Sequence, residues 1–147
     1  MDKRGQAAME FLMTYGWAIL AAVIVIGVLA SFGVFSPSKY VPTSCTLSAP
    51  FGCDKSQVAA TTTAISLVIR NGGGESMDIS TVNITGCGAN TTRMTIADQG
   101  TQLVSVTCSP ALTSGEKFNG DVSVKYTPTS GGLINMTSSG SITVKVA

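Results

Sequence analysis

The chain is 147 residues long and carries nine Lys or Arg, eight Asp or Glu and no histidine, for a formal net charge of +1. A balance this near neutrality gives no electrostatic basis for binding nucleic acid, and no such partner is expected. With no histidine, no Ser–Lys pairing and no phosphate-cradling glycine loop, the sequence offers no catalytic apparatus; neither an enzyme, a cofactor nor a metal is expected.

The N-terminus opens with a short charged head, Met1 to Gly5, and runs into Gln6-Ala7-Ala8-Met9-Glu10. After Glu10 no charged residue occurs until Lys39. Phe11 to Phe35 is a continuous apolar run; as a helix it spans about 37 Å, against a bilayer hydrocarbon core of about 30 Å. A secretory signal peptide fits poorly, because its apolar core is roughly 7–15 residues long and ends in a small-x-small cleavage site. A plain membrane anchor fits better, with Lys3 and Arg4 on the cytoplasmic side. Glu10 is the exception in this segment, since a carboxylate beside hydrocarbon is costly unless something pairs with it.

The run Lys3-Arg4-Gly5-Gln6-Ala7-Ala8-Met9-Glu10-Phe11-Leu12-Met13-Thr14-Tyr15-Gly16-Trp17-Ala18-Ile19-Leu20 resembles the class III signal peptide and helix start of archaeal type IV pilins. The family pattern is Gln-x-Ser-x-Glu-x-x-x-Leu. Here Ala8 stands for the Ser and Thr14 for the Leu, with Leu12 and Met13 flanking it. The resemblance covers residues 1–35. It implies cleavage between Gly5 and Gln6 by a dedicated prepilin peptidase, insertion in the cytoplasmic membrane as a precursor, and later incorporation by pilus assembly machinery into a cell-surface filament. It also implies a role for Glu10, which would pair with the free amine of Gln6 on a neighbouring subunit and fix the axial register.

Physical chemistry is consistent with that scheme. Cutting after Gly5 removes Lys3 and Arg4, which hold this end in the cytoplasm, and leaves the apolar helix free to leave lipid. Outside it must be buried against copies of itself, and a contact whose rotation does not close builds a fibre. Gly16, Ala18, Ala22 and Gly27 suit close helix packing, Ala18 and Ala22 sharing one face. Tyr15 and Trp17 suit either a membrane interface or fibre packing. Loss of Lys3 and Arg4 from nine basic residues, and of Asp2 from eight acidic ones, leaves seven of each, so mature subunits would not repel one another.

Composition changes at Ser36-Pro37-Ser38-Lys39-Tyr40-Val41-Pro42, where prolines end the helix and begin a linker. The rest has the size of one domain and reads as strands. Thr63 to Arg70 alternates up to Asn71-Gly72-Gly73-Gly74, which reads as a hairpin turn. Met77 and Ile79, then Val82 and Ile84, suggest a strand with a bulge or kink. Arg93 to Ile96, Leu103 to Cys108 and Val122 to Tyr126 follow; after a turn at Gly131-Gly132, Leu133 to Thr137 resumes and Ile142 to Val146 closes the chain. Six to seven short strands at this spacing predict a β-sandwich, immunoglobulin-like in outline.

The four cysteines, Cys45, Cys53, Cys87 and Cys108, are expected to form disulfides, as suits an exported β domain. Chain proximity favours Cys45–Cys53 and Cys87–Cys108 among three possible pairings. Asn83, Asn90 and Asn135 each begin an N-x-Ser/Thr sequon and are N-glycosylation candidates. Asp54, Glu75, Asp78, Asp98, Glu116 and Asp121 are scattered and read as solvated faces.

The fold class expected is α+β: a long hydrophobic N-terminal helix followed by an all-β, immunoglobulin-like sandwich. The organisation expected is a signal peptide over 1–5, a filament-core or transmembrane helix over 6–36, a linker over 37–44 and a head domain over 45–147. The function implied is that of a structural subunit of an archaeal adhesion pilus, forming a helical homopolymer with itself. The alternatives are a minor pilin or pseudopilin of a related machine, and a monomeric membrane-anchored extracellular β-domain binding protein.

Overall fold

A computed structural model of the chain describes residues 3–36, 40 and 42–147. It divides into two compact units, Met1–Val41 and Pro42–Ala147.

Among its described residues the first unit has one helix, α1, from Lys3 to Ser31. Ala, Leu, Met and Ile dominate it and no proline interrupts it, so nothing breaks the backbone ladder. The sequence places its end near Phe35, before the prolines; the structure ends it earlier, and Gly33 is the reason. Gly33 adopts φ 70°. Its N–H donates to the Ala30 carbonyl at 3.0 Å while Val34 N–H reaches back to Leu29 at 3.2 Å. This pair of bonds, with a left-handed glycine between them, is the Schellman arrangement that satisfies the last carbonyls of a helix. Of the expected linker 37–44, residues 37–39 and 41 lie outside the described residues, and Ser44 already belongs to the first strand.

The second unit has nine strands: β1 (Ser44–Leu47), β2 (Phe51–Ala60), β3 (Ala64–Asn71), β4 (Met77–Ile84), β5 (Gly88–Asn90), β6 (Met94–Ile96), β7 (Thr101–Thr107), β8 (Lys117–Pro128) and β9 (Met136–Lys145). They form two antiparallel sheets. The larger runs β1-β9-β8-β4-β5 with β6 also on β4, and the smaller runs β2-β3-β7. The chain is thus α+β. In immunoglobulin lettering β2-β3-β7 occupies the places of A-B-E and β9-β8-β4 those of G-F-C. A parallel bridge between Ala60 and Val146 ties the end of β2 to the residue after β9.

Three strands escaped the sequence reading: β1 and β5, at four and three residues, are too short to show a period, and β2 does not alternate apolar and polar residues. Two other expectations are corrected. Asn71-Gly72-Gly73-Gly74 is not a hairpin turn: β3 and β4 lie in different sheets, and the segment carries the chain across the sandwich. Leu133 and Ile134 are not strand; they stand in the β8–β9 loop, Leu133 with no shielding at all (101% exposed).

One core fills the space between the sheets. Ile65, Leu67 and Ile69 of β3 face Val104 and Val106 of β7 and, from the other sheet, Ile79, Val82, Val122, Val124 and Ile142, all fully buried. The Phe51 ring meets Tyr126 edge-on, with centroids 4.9 Å apart. The break in β4 that the sequence suggests is real. The β4–β8 register shifts between Ile79 and Thr81. Strict alternation from Met77 would carry Thr81 and Asn83 inward; one extra residue at Ser80 resets the phase so that Val82 and Ile84 enter the core instead.

The disulfides join Cys45 to Cys53 and Cys87 to Cys108. Each links the larger sheet, or the turn that feeds it, to the smaller one. Cys45–Cys53 fastens edge strand β1 to edge strand β2. Cys87–Cys108 fastens the β4–β5 turn to the end of β7. The two open flanks of the sandwich are therefore each closed covalently.

Candidate functional site

The helix is the first candidate. No residue of α1 is buried. Ile19, Leu20, Val23, Ile24, Val25 and Ile26 are all more than half exposed; at 100° per residue they point in every direction, so the helix has no polar face to give to water. It is long and apolar enough to cross a membrane. Seventeen large apolar side chains between Met9 and Phe35 are open. At ~1.5–3 kcal/mol each, their burial is worth on the order of 25–50 kcal/mol, more than the ~5–15 kcal/mol net stability of a domain. Lipid or another protein must cover this surface.

Glu10 lies exposed on this helix. Its carbonyl accepts a hydrogen bond from the Thr14 hydroxyl at 2.9 Å. Thr14, where the family pattern has Leu, therefore leaves no bare hydroxyl in the apolar surface. Phe11 and Tyr15 pack one turn apart, with ring centroids at 4.9 Å. Gly5 and Gln6 are exposed and helical. Around Gly16 and Gly27 a side chain would meet nothing within 4 Å, so nothing inside the chain requires glycine there, despite its cost of roughly 1 kcal/mol in a helix. Eleven residues separate them, about three turns, which sets both on one face. Ala18 and Ala22 share a different face.

On the head, the three sequons differ. Asn83 is exposed in β4. Asn90 is committed to the fold: its amide donates to the Ser105 carbonyl at 2.7 Å and its oxygen accepts from Thr92 N–H at 2.8 Å. Asn135 is exposed in the β8–β9 loop; its oxygen accepts from the Thr127 hydroxyl at 2.9 Å, leaving its nitrogen open. Among the carboxylates, Asp54 accepts from the Ser56 backbone N–H at 2.9 Å and from its hydroxyl at 2.8 Å. Those bonds, the backbone one first, hold its carboxyl below the ordinary aspartate value, with a small contribution from Lys55.

The structure also assembles a cleft that the sequence reading missed. About 400 Å³ in volume, it is lined by Asp78, Ser80, Arg93, Thr95, Thr127 and Asn135, among others. Register places Thr95 opposite Asp78 and Asp78 opposite Thr127, so one polar row crosses β6, β4 and β8. The bulge between Ile79 and Thr81 was the one legible hint, since bulges often re-aim side chains beside sites.

No protein-family model matches the chain, and no curated protein matches it either. The architecture itself is pilin-like: a long, exposed, apolar N-terminal helix followed by a disulfide-stapled β head.

Proposed function

We propose that the chain is a structural subunit of an archaeal type IV-like adhesion pilus, a non-catalytic protein that polymerises through α1. The observation that carries this reading is a helix apolar around its full circumference, with one carboxylate, Glu10, near its start. In the scheme proposed, prepilin peptidase cuts after Gly5, the helix from Gln6 leaves the cytoplasmic membrane through assembly machinery, and copies of it bundle in the core of an extracellular filament. Glu10 then meets the new amine of Gln6 on a neighbour. The two glycines on one face, Gly16 and Gly27, support close approach of a partner helix.

The test is N-terminal sequencing of the mature protein together with purification of surface filaments. A start at Gln6 in a filament composed mainly of this chain is the expected result. A retained Met1 on a protein dispersed singly in membranes overturns it in favour of an anchored binding domain. A start at Gln6 with only trace abundance in filaments makes the chain a minor pilin.

A further inference from the structure

We infer that the cleft on the outer face of the larger sheet is a binding site for a neutral saccharide. The argument rests on which hydrogen-bonding capacity the fold leaves unused there. Thr95 donates its hydroxyl to Asp78 at 2.5 Å. Thr127 donates to Asn135 at 2.9 Å, and Ser80 donates to the Lys125 carbonyl at 3.3 Å. Each of these three hydroxyls has spent its proton and keeps lone pairs. Asp78 has accepted on one carboxylate oxygen and keeps the other. Asn135 has used its carbonyl and keeps its two N–H donors, and the Arg93 guanidinium supplies further donors in a planar fork.

The cleft therefore offers acceptors from Asp78, Ser80, Thr95 and Thr127 alongside donors from Arg93 and Asn135. A ligand that matches must donate and accept at closely spaced points, as adjacent sugar hydroxyls do. One acid and one base line the site, so its charges balance and it selects for neither an anion nor a cation. Its volume of about 400 Å³ falls within the roughly 300–1,000 Å³ usual for small-molecule sites. The bulge at Ser80 and the pairing of β6 onto β4 are what bring these groups into one place.

The same chemistry has two sources. One is a saccharide on an external surface; the other is a glycan carried by the chain itself at Asn135, whose open nitrogen sits in the lining.

The experiment uses the full chain from a host without N-glycosylation, in detergent or as filaments. It is probed by saturation-transfer NMR with methyl glycosides of glucose, mannose and galactose and with maltose, cellobiose and lactose; sodium phosphate and sodium acetate serve as charged controls. At least one neutral saccharide should bind, and Asp78→Asn and Arg93→Gln should each weaken it at least tenfold. Asp121→Asn, near the opposite end of the same sheet, should leave binding unchanged, and thermal melts check that all variants fold. Failure of every saccharide to bind, binding equally affected by Asp121→Asn, or preferential binding of phosphate overturns the inference. In a glycosylating host, binding restored only by Thr137→Ala, which destroys the Asn135 sequon, assigns the cleft to the chain's own sugar. Binding with or without that change assigns it to an external one. Both results support the site, and neither depends on whether the chain polymerises.

Discussion

Cys45 and Cys53 are eight positions apart in sequence yet lie in different sheets, and their bond is the covalent link between edge strands β1 and β2. β1 has only four residues and pairs with β9 alone, from Ser44 opposite Thr143 to Leu47 opposite Gly140. The two disulfides should therefore fail differently. Closing the shorter loop restricts the unfolded chain by about 2.6 kcal/mol, and the longer one by about 3.4 kcal/mol. Replacing Cys45 and Cys53 together with Ala should lower stability by about 2–3 kcal/mol and accelerate hydrogen exchange chiefly in β1. Replacing Cys87 and Cys108 should cost more and raise exchange across both sheets. Exchange that rises equally everywhere in the first variant contradicts a local role for Cys45–Cys53.

Asn71 is fully buried, and its side chain is satisfied on every side. Its amide donates to the carbonyls of Glu75 at 2.7 Å, Ile96 at 3.0 Å and Ala97 at 3.3 Å, while its oxygen accepts from Gly73 N–H at 2.9 Å. One side chain thus fixes both the crossing from β3 to β4 and the turn from β6 to β7. Asn71→Ala leaves buried carbonyls without donors and should destabilise by about 2–3 kcal/mol, read by urea denaturation. Asn71→Asp keeps the acceptor, loses the donors and adds a buried charge, so it should be worse still. A loss under about 0.5 kcal/mol for the alanine variant shows that water replaces the network.

Elements differ in how much of themselves they leave in the sequence. Long alternating runs such as Ile65, Leu67 and Ile69 announced their strand, because period-two burial leaves a visible pattern. The apolar run Phe11 to Phe35 announced the helix for the same kind of reason. β1 and β5 were invisible because four and three residues are too few to show a period, and β2 because its apolar and polar residues do not alternate. Asn71-Gly72-Gly73-Gly74 resembled a hairpin because glycine runs mark turns without saying where the chain goes next. Gly33 lies inside the apolar run, and only its positive φ in the fold makes it the helix stop. The cleft residues Asp78, Arg93, Thr95 and Asn135 come from separate segments, and only tertiary register unites them.

Gly140 shows how tightly β1 lies on its neighbour. A side-chain carbon built there would stand 1.8 Å from the Thr46 carbonyl oxygen and 2.8 Å from the Leu47 backbone. Backbone cannot yield as a flexible side chain can, so Gly140→Ala must displace β1. A loss of about 1–3 kcal/mol is expected, with faster exchange at β1. Gly52→Ala, where a side chain meets nothing within 4 Å, should be close to neutral. Equal effects at the two positions contradict the close approach.

Asp54 gives the head a predictable acid dependence. Its carboxyl is held below the ordinary value by the Ser56 N–H and hydroxyl. A carboxyl with a depressed folded value stabilises the fold above its unfolded value, about 3.9, and that contribution disappears as pH falls through the folded value. Asp54→Asn should therefore be less stable than the wild type at pH 7, by a small margin because the group is exposed to solvent. The two should converge as the pH drops below about 4. Urea titrations from pH 7 down into the acid range check this. A gap that persists or widens in acid shows that the charge on Asp54 is not the cause.

Glu10 provides the sharpest test of assembly. It is the one charged group between Gly5 and Lys39, on a helix otherwise apolar in every direction. If it pairs with the amine created by cleavage, the two charges must meet at one axial offset between neighbours. Breaking a desolvated pair by removing one partner costs about 3–5 kcal/mol, because the other charge is left uncompensated. Glu10→Ala and Glu10→Gln should both abolish filaments, or reduce them at least tenfold, while leaving cleavage after Gly5 intact, so that processed subunit accumulates in the membrane. Glu10→Asp keeps the charge on a shorter arm and should retain partial assembly. N-terminal sequencing and filament yield separate the outcomes. Normal filaments from Glu10→Gln show that register is set by side-chain packing around Gly16 and Gly27 instead, in which case substituting those glycines with leucine should disrupt the fibre.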